Sequence, residues 1–162
     1  TLFRLGLQVS NIFIANGELR SRFISRINAS GCSGPNVLGL TACEAAYRHG
    51  GEWYEAMMKY ISGNIEFMRK YIRTELPGLK MTETEGTYLV WADFREFGLS
   101  EKELEELIVN KAHLWLDGGA MFGRAGAGFE RFNVACPRSV LKQALEQLKE
   151  AVDKRFPVCG RT

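Results

Sequence analysis

An arginine beside a run of glycines can hold a carboxylate, and residues 117–138 contain that combination. Gly118, Gly119, Gly123, Gly126 and Gly128 lead into the alternating segment Phe129-Glu130-Arg131-Phe132-Asn133-Val134-Ala135, which Pro137 closes. As a strand, this segment puts Phe129, Arg131, Asn133 and Ala135 on one face and Glu130, Phe132 and Val134 on the other. Phe132 and Val134 mark the second face as the buried one. Arg131 and Asn133 then project together beside a loop whose glycines permit positive φ or a close approach. A planar guanidinium in that place can grip a carboxylate through two parallel hydrogen bonds. The bland alternatives are a solvated strand arginine, or one paired with Glu130 or Asp117.

Other chemistries have less support. Gly123, Gly126 and Gly128 do not form a GxGxxG pattern, and a strand rather than a helix follows them, so dinucleotide binding is not expected. His49 and His113 lack cysteine, serine or carboxylate partners at meaningful spacing, which leaves no Ser/His/Asp or Cys/His arrangement. Cys32, Cys43, Cys136 and Cys159 form no CxxC pair and have no histidine at ligand spacing, so no metal site is expected. Arg138 follows Pro137 at a helix start, where its charge opposes the helix dipole. It is expected to find a local acceptor and to serve a structural or interfacial role.

The elements that must position these residues follow from periodicity. Val9, Ile12 and Ile14 suit a buried extended segment. Residues 18–27 carry Leu19, Phe23, Ile24 and Ile27 at helical spacing. A second helix over residues 36–49 is apolar around much of its surface, through Val37, Leu40, Ala42, Cys43, Ala46 and Tyr47. Such a helix is buried or pressed against a partner, and it is expected to leave apolar surface exposed and drive self-association. Residues 52–76 form the longest helix. Its stripe of Trp53, Met57, Tyr60, Ile61, Ile65, Met68, Tyr71 and Ile72 reads as core rather than a cofactor surface, with Gly63 as its weak point. Short strands are expected at residues 79–82, 87–94 and 114–116. Ser100 and Glu103 form a capping box that starts a helix faced by Leu104, Leu107 and Ile108. A last helix begins at Arg138 or Ser139 with Leu141, Ala144, Leu145, Leu148, Ala151 and Val152 as its stripe.

Composition excludes several classes of function. The 162 residues are 46% hydrophobic and 25% charged, an ordinary globular balance with room for a real core. Twenty-one basic against nineteen acidic residues leave a net charge of +2, too near neutral for a nucleic-acid partner. No apolar run is long enough to span a bilayer, and the first residues are not a secretory signal. Scattered thiols without a signal fit the reducing cytoplasm. The chain opens at Thr1 without an initiator methionine, which leads to the expectation of a fragment.

Asp117-Gly118, Met121-Phe122-Gly123, Gly128-Phe129, Arg131, Asn133 and Ala135-Cys136-Pro137-Arg138 resemble the C-terminal signature of the fold-type I pyridoxal-phosphate enzymes. Within that class they are most similar to the cystathionine beta-lyase (MalY/PatB) type of the class I/II aminotransferase family. The resemblance extends through Gly86-Thr87-Tyr88-Leu89-Val90-Trp91 and Gly6-Leu7-Gln8-Val9-Ser10-Asn11. It implies an α/β fold: a small C-terminal domain with a mostly antiparallel small sheet and flanking helices, preceded by a helical piece of the large domain. The expected division is residues 1–51 as the large-domain remnant, 52–156 as the small domain and 157–162 as a tail. The resemblance implies that Arg131 holds the α-carboxylate of an amino-acid substrate, with Tyr88 and Asn11 as further substrate-binding candidates. It implies a homodimeric parent that uses pyridoxal phosphate for β-elimination from a sulfur-containing amino acid.

One departure limits what this chain does by itself. Pyridoxal-phosphate chemistry needs a Schiff-base lysine. In the resembled family it stands just before a Thr-Phe-Asn-like segment followed by Gly-Leu-Gln. Here Gly6-Leu7-Gln8 is present and the lysine falls immediately before residue 1, so the expectation is no catalytic residue and no bound cofactor in this chain alone. An aminotransferase fragment with the same carboxylate grip is the near alternative. A non-catalytic domain that binds amino acids or pairs with a partner chain is the alternative from another class.

Overall fold

The computed structural model describes residues 7, 9–31 and 34–157. Backbone contacts divide the chain into two units, residues 1–56 and 57–162. The expectations placed on residues 1–6, Gln8, Cys32 and residues 158–162, Cys159 included, lie outside the described residues.

In the first unit two helices form where a side-chain cap satisfies the first free backbone donors. Helix α1 (Gly17–Ala29) starts at Asn16, whose Oδ1 accepts from the Leu19 N–H at 3.0 Å. Helix α2 (Val37–His49) starts at Asn36, whose Oδ1 accepts from the Leu38 N–H at 2.9 Å. The helix forms over the apolar stripe, but no residue of it is buried, and Leu19 and Ile24 are exposed. Helix α2 buries only Gly39. A Cβ there would stand 2.3 Å from Val9 Cγ2, so the glycine is what lets Val9 pack against the helix. Residues 9–14 form no strand. Val9 is buried as expected, but Ile12 and Phe13 are exposed.

The second unit is built on helix α3 (Gly51–Glu75), whose Ile61, Met68 and Ile72 are buried. Strand β1 (Lys80–Met81) pairs with β2 (Leu89–Asp93). Ser100 and Glu103 form the expected capping box at the start of α4 (Glu101–Glu105). The helix then widens into a π turn over Glu106–Lys111, with the Ala112 N–H donating to the Leu107 carbonyl. The extra residue per turn rotates the buried face, and Leu107 and Ile108 are both buried. Strand β3 (Asp117–Gly118) pairs with β4 (Phe129–Asn133), and β4 pairs with β2. The strand expected at residues 114–116 is displaced. The Leu114 N–H is drawn to the Ile108 carbonyl at the π turn, and pairing begins only at Asp117.

The sheet order is β1-β2-β4-β3 and every pairing is antiparallel, as the small-sheet expectation has it. Val90, Ala92 and Phe132 face the core, where helix α5 (Arg138–Arg155) contributes Leu141, Leu145 and Leu148. Leu89, Trp91, Asp93, Phe129 and Arg131 lie on the opposite face and are half-buried.

Candidate functional site

Arg131 sits where three strands meet. The register pairs it with Trp91 on β2 and with Asp117 on β3, so all three side chains share one face. Its Nη2 donates to Asp117 Oδ2 at 2.6 Å, and Nε donates to the same oxygen at 3.2 Å. The guanidinium lies 4.5 Å from the Phe122 ring centroid and 5.9 Å from that of Trp91. Trp91 in turn meets Phe122 and Phe129 edge-on, at 5.3 and 6.5 Å. The aromatic rings remove water from around the cation and fix its plane, which strengthens its hold on an anion. The Arg131 side chain is 23% exposed, against 45% for Asp117, so the carboxylate is the outer member of the pair. Of the readings open for Arg131, the pairing with Asp117 is the one seen in this structure. Chemically, the site holds a carboxylate in front of a desolvated guanidinium.

The glycine loop is folded tightly enough to require its glycines at particular positions. Residues 119–122 and 124–126 form two 3-10 turns. A Cβ on Gly119 would stand 2.0 Å from the Gly126 carbonyl oxygen, so the two backbones touch. Gly128 has φ +78°, and its carbonyl accepts from the Phe94 N–H at 2.8 Å. Arg95 lies against the loop exit, 4.6 Å from the Phe129 ring centroid. It donates from Nε and Nη2 to the two oxygens of Asp93, at 2.9 and 2.7 Å. This hydrogen-bonded guanidinium holds the Asp93 carboxyl below the usual carboxylate range, against the opposing effect of its partial burial.

Asn133 projects from the Arg131 face as the alternation predicts, but its Oδ1 accepts from the Ala135 N–H at 3.0 Å and is occupied in a local turn. Tyr88 packs against the hydrophobic core, and its carbonyl accepts from the Val134 N–H at 3.0 Å. The structure does not bring its ring together with Arg131. Asn11 is exposed and lies in the first unit. Arg138 finds the acceptor its position demands. Its Nε donates to Asn64 Oδ1 at 2.6 Å, its backbone N–H donates to the Tyr60 hydroxyl at 2.8 Å, and its guanidinium covers the Phe67 ring at 4.7 Å. Asn64 is fully buried and donates to the carbonyls of Val134 and Cys136 at 2.8 and 2.9 Å. Gly63 is the passage for this arrangement, since a Cβ there would stand 3.1 Å from Arg138 Nη2. The pair thus anchors the end of β4 and the start of α5 to α3.

Glu130 was readable from the sequence as an acid on the apolar face of β4, and its consequence appears only in the structure. It is 5% exposed. Burial, then the nearby charges of Asp117 and Glu105, pushes its carboxyl up to about 7. Trp91 and Phe122 also went unassigned by sequence reasoning, although Phe122 lies within the recognised glycine motif.

None of the chain's lysines is buried: Lys149 is half-buried and the others are exposed. A Schiff-base lysine is ordinarily a desolvated amine held partly neutral. The lysines present therefore do not fit pyridoxal phosphate.

No protein-family model matches the chain. Individual relatives do. It is 36% identical over 147 residues to the cystathionine beta-lyase PatB of Bacillus subtilis, a match that takes in 91% of this chain and 38% of that protein. To the protein MalY of Escherichia coli it is 31% identical over 140 residues, 86% of this chain and 36% of that one. Cystalysin from Treponema denticola, whose crystal structure contains a pyridoxal 5'-phosphate cofactor, superposes with a TM-score of 0.87 at 38% identity, covering 93% of this chain and 38% of cystalysin. The pyridoxal-phosphate-bound C-S lyase from Staphylococcus hominis superposes with a TM-score of 0.78 at 30% identity, covering 90% and 37%. The chain thus spans well under half the length of the relatives it matches.

Proposed function

We propose, on the premise that this chain belongs to the fold-type I pyridoxal-phosphate enzymes of the MalY/PatB type, that it is the carboxylate-binding portion of a C–S β-lyase for sulfur-containing amino acids. Arg131 holds the substrate α-carboxylate. The observation that carries this reading is the Arg131–Asp117 pair: the guanidinium is framed by Trp91 and Phe122 and already has a carboxylate at 2.6 Å. An incoming carboxylate takes the place of Asp117 or shares the fork with it, since a guanidinium carries five donors. Tyr88 and Asn11 enter the proposal through the family resemblance alone. In the whole enzyme pyridoxal phosphate supplies an electron sink for β-elimination. This chain supplies the grip and not the Schiff-base lysine, and the working enzyme is a homodimer. An aminotransferase is the second reading, favoured by the 28% identity over 78 residues to the aspartate aminotransferase of Pyrococcus horikoshii.

The test is calorimetric titration of the purified chain with S-methyl-L-cysteine and with its decarboxylated amine. The amino acid is expected to bind, the amine not, and Arg131→Ala to abolish binding. Equal binding of both ligands, or full binding by Arg131→Ala, overturns the assignment. In parallel, pyridoxal phosphate followed by borohydride is expected to leave no stoichiometric adduct. An adduct confined to one lysine, such as Lys111 beside the π turn, refutes the part of the proposal that places the Schiff-base lysine elsewhere.

A further inference from the structure

Glu130 has a role that carboxylate binding does not use. It lies on the inward side of β4 and is 5% exposed, yet it takes part in none of the hydrogen bonds or ion pairs among the described residues. Among the described residues the one sealed side-chain polar atom without a partner is Thr84 Oγ1, so the Glu130 oxygens keep contact with solvent at the end of an otherwise buried side chain. Its carboxylate is not sealed in the core. Oε1 lies 3.8 Å from where a Cβ on Gly118 would stand, at the β3 edge, and Glu130 lines a groove of about 630 Å³. This groove runs between α4 with its π turn on one side and β3, β4 and the glycine loop on the other. Its size suits a small organic ligand.

The walls define the ligand. Leu104, Ile108 and Phe129 supply apolar surface, and Trp115, 90% exposed, stands at the margin. The charged groups that line the groove with Glu130 are Glu101, Lys102 and Glu105 from α4 and Asp117 from β3. Asp117 is already committed to Arg131, and Glu105 is exposed. The charges that act on Glu130 are those of Asp117 and Glu105, both negative, and among the described residues no cation forms an ion pair with it. We propose that this groove binds an alkylammonium ion, with its nitrogen held by Glu130 and Glu105 and its carbon chain against Leu104, Ile108 and Phe129. An ammonium offers three donors and one positive charge, which is what a carboxylate without a protein partner lacks. No carboxylate on the ligand is needed, so the site is independent of the Arg131 assignment.

Glu130 is mostly protonated below pH 7 and mostly ionised above it. An ammonium binds the ionised form, so its binding releases a proton at low pH. Between pH 6 and pH 8 the ionised fraction rises from about one tenth to about nine tenths, so affinity is expected to rise about tenfold. The experiment titrates the purified chain with n-butylammonium chloride by calorimetry at both pH values, with n-butanol as the uncharged control. Saturable one-site binding that tightens about tenfold at pH 8, with no binding of butanol, is the expected result. Glu130→Gln is expected to remove the pH dependence and to weaken binding at pH 8 about tenfold. Glu105→Gln, at an exposed position that leaves the core intact, is expected to weaken it several-fold. No saturable binding, equal binding of butanol, or undiminished binding by Glu130→Gln overturns the proposal.

Discussion

Glu130 makes the stability of this chain depend on pH in a direction opposite to most carboxylates. Its ordinary value is 4.5, and burial beside Asp117 and Glu105 pushes it up to about 7. The folded chain therefore holds this proton to a higher pH than the unfolded chain does. Between about pH 4.5 and pH 7 the unfolded state binds fewer protons, so stability falls as pH rises and levels off above 7. A displacement from 4.5 to about 7 corresponds to about 3 kcal/mol at 1.36 kcal/mol per pH unit. The carboxylate opens to the groove, so solvent screening reduces this to about 1 to 2 kcal/mol. Paired acids such as Asp93 and Glu103 have lowered values, and their contribution is lost only below their ordinary range. The window from pH 4.5 to pH 8 thus isolates Glu130 from them. The perturbation is Glu130→Gln, which keeps the shape of the protonated acid and cannot ionise. The assay is urea unfolding followed by tryptophan fluorescence at pH 4.5, 6 and 8. Parent and variant are expected to differ by a constant at pH 4.5, and the variant to gain about 1 to 2 kcal/mol relative to the parent by pH 8. Parallel stability profiles for the two proteins across this window would show that Glu130 ionises normally, and would refute the account of its burial.

Asn64→Ala removes one hydrogen bond from Arg138 and leaves the buried carbonyls of Val134 and Cys136 unpaired. It is expected to cost about 3 kcal/mol or more in urea unfolding, and a loss below 1 kcal/mol would show that the network does not anchor α5. Asp117→Asn takes away the negative charge that competes for Arg131. If Arg131 is the carboxylate grip, the affinity for S-methyl-L-cysteine should rise a few-fold, in keeping with a half-exposed ion pair of up to about 1 kcal/mol. A loss as large as that of Arg131→Ala would mean that Asp117 positions the guanidinium instead. Helix α2 exposes Val37, Leu38, Leu40 and Tyr47. Self-association is expected in sedimentation over a range of concentrations, and a strictly monomeric chain at all of them counts against it.

Local patterns in the sequence determined a good deal. The alternation of residues 129–133 set which side chains of β4 face the core, because successive residues of a strand must point to opposite sides. The Ser100–Glu103 box located the start of α4, and the stripe through Leu141, Leu145 and Leu148 located the buried side of α5, because capping and helical periodicity act over a few residues. The glycine motif with Arg131 carried the family resemblance. What only the tertiary structure decided depends on groups far apart in the chain. The partner of Arg131 is Asp117, chosen by the β3–β4 register across 14 residues. Arg138 finds Asn64 across 74 residues, through a gap that Gly63 leaves open. The π turn at Glu106–Lys111 moves pairing from residues 114–116 to Asp117–Gly118, a shift no local pattern announces. Glu130 is the plainest case: the strand period placed it inward, but its missing partner and its open groove depend on α4 packing against the sheet. Register, close backbone approach and desolvation are properties of the assembled layers, and each is set by long-range packing rather than by neighbours in sequence.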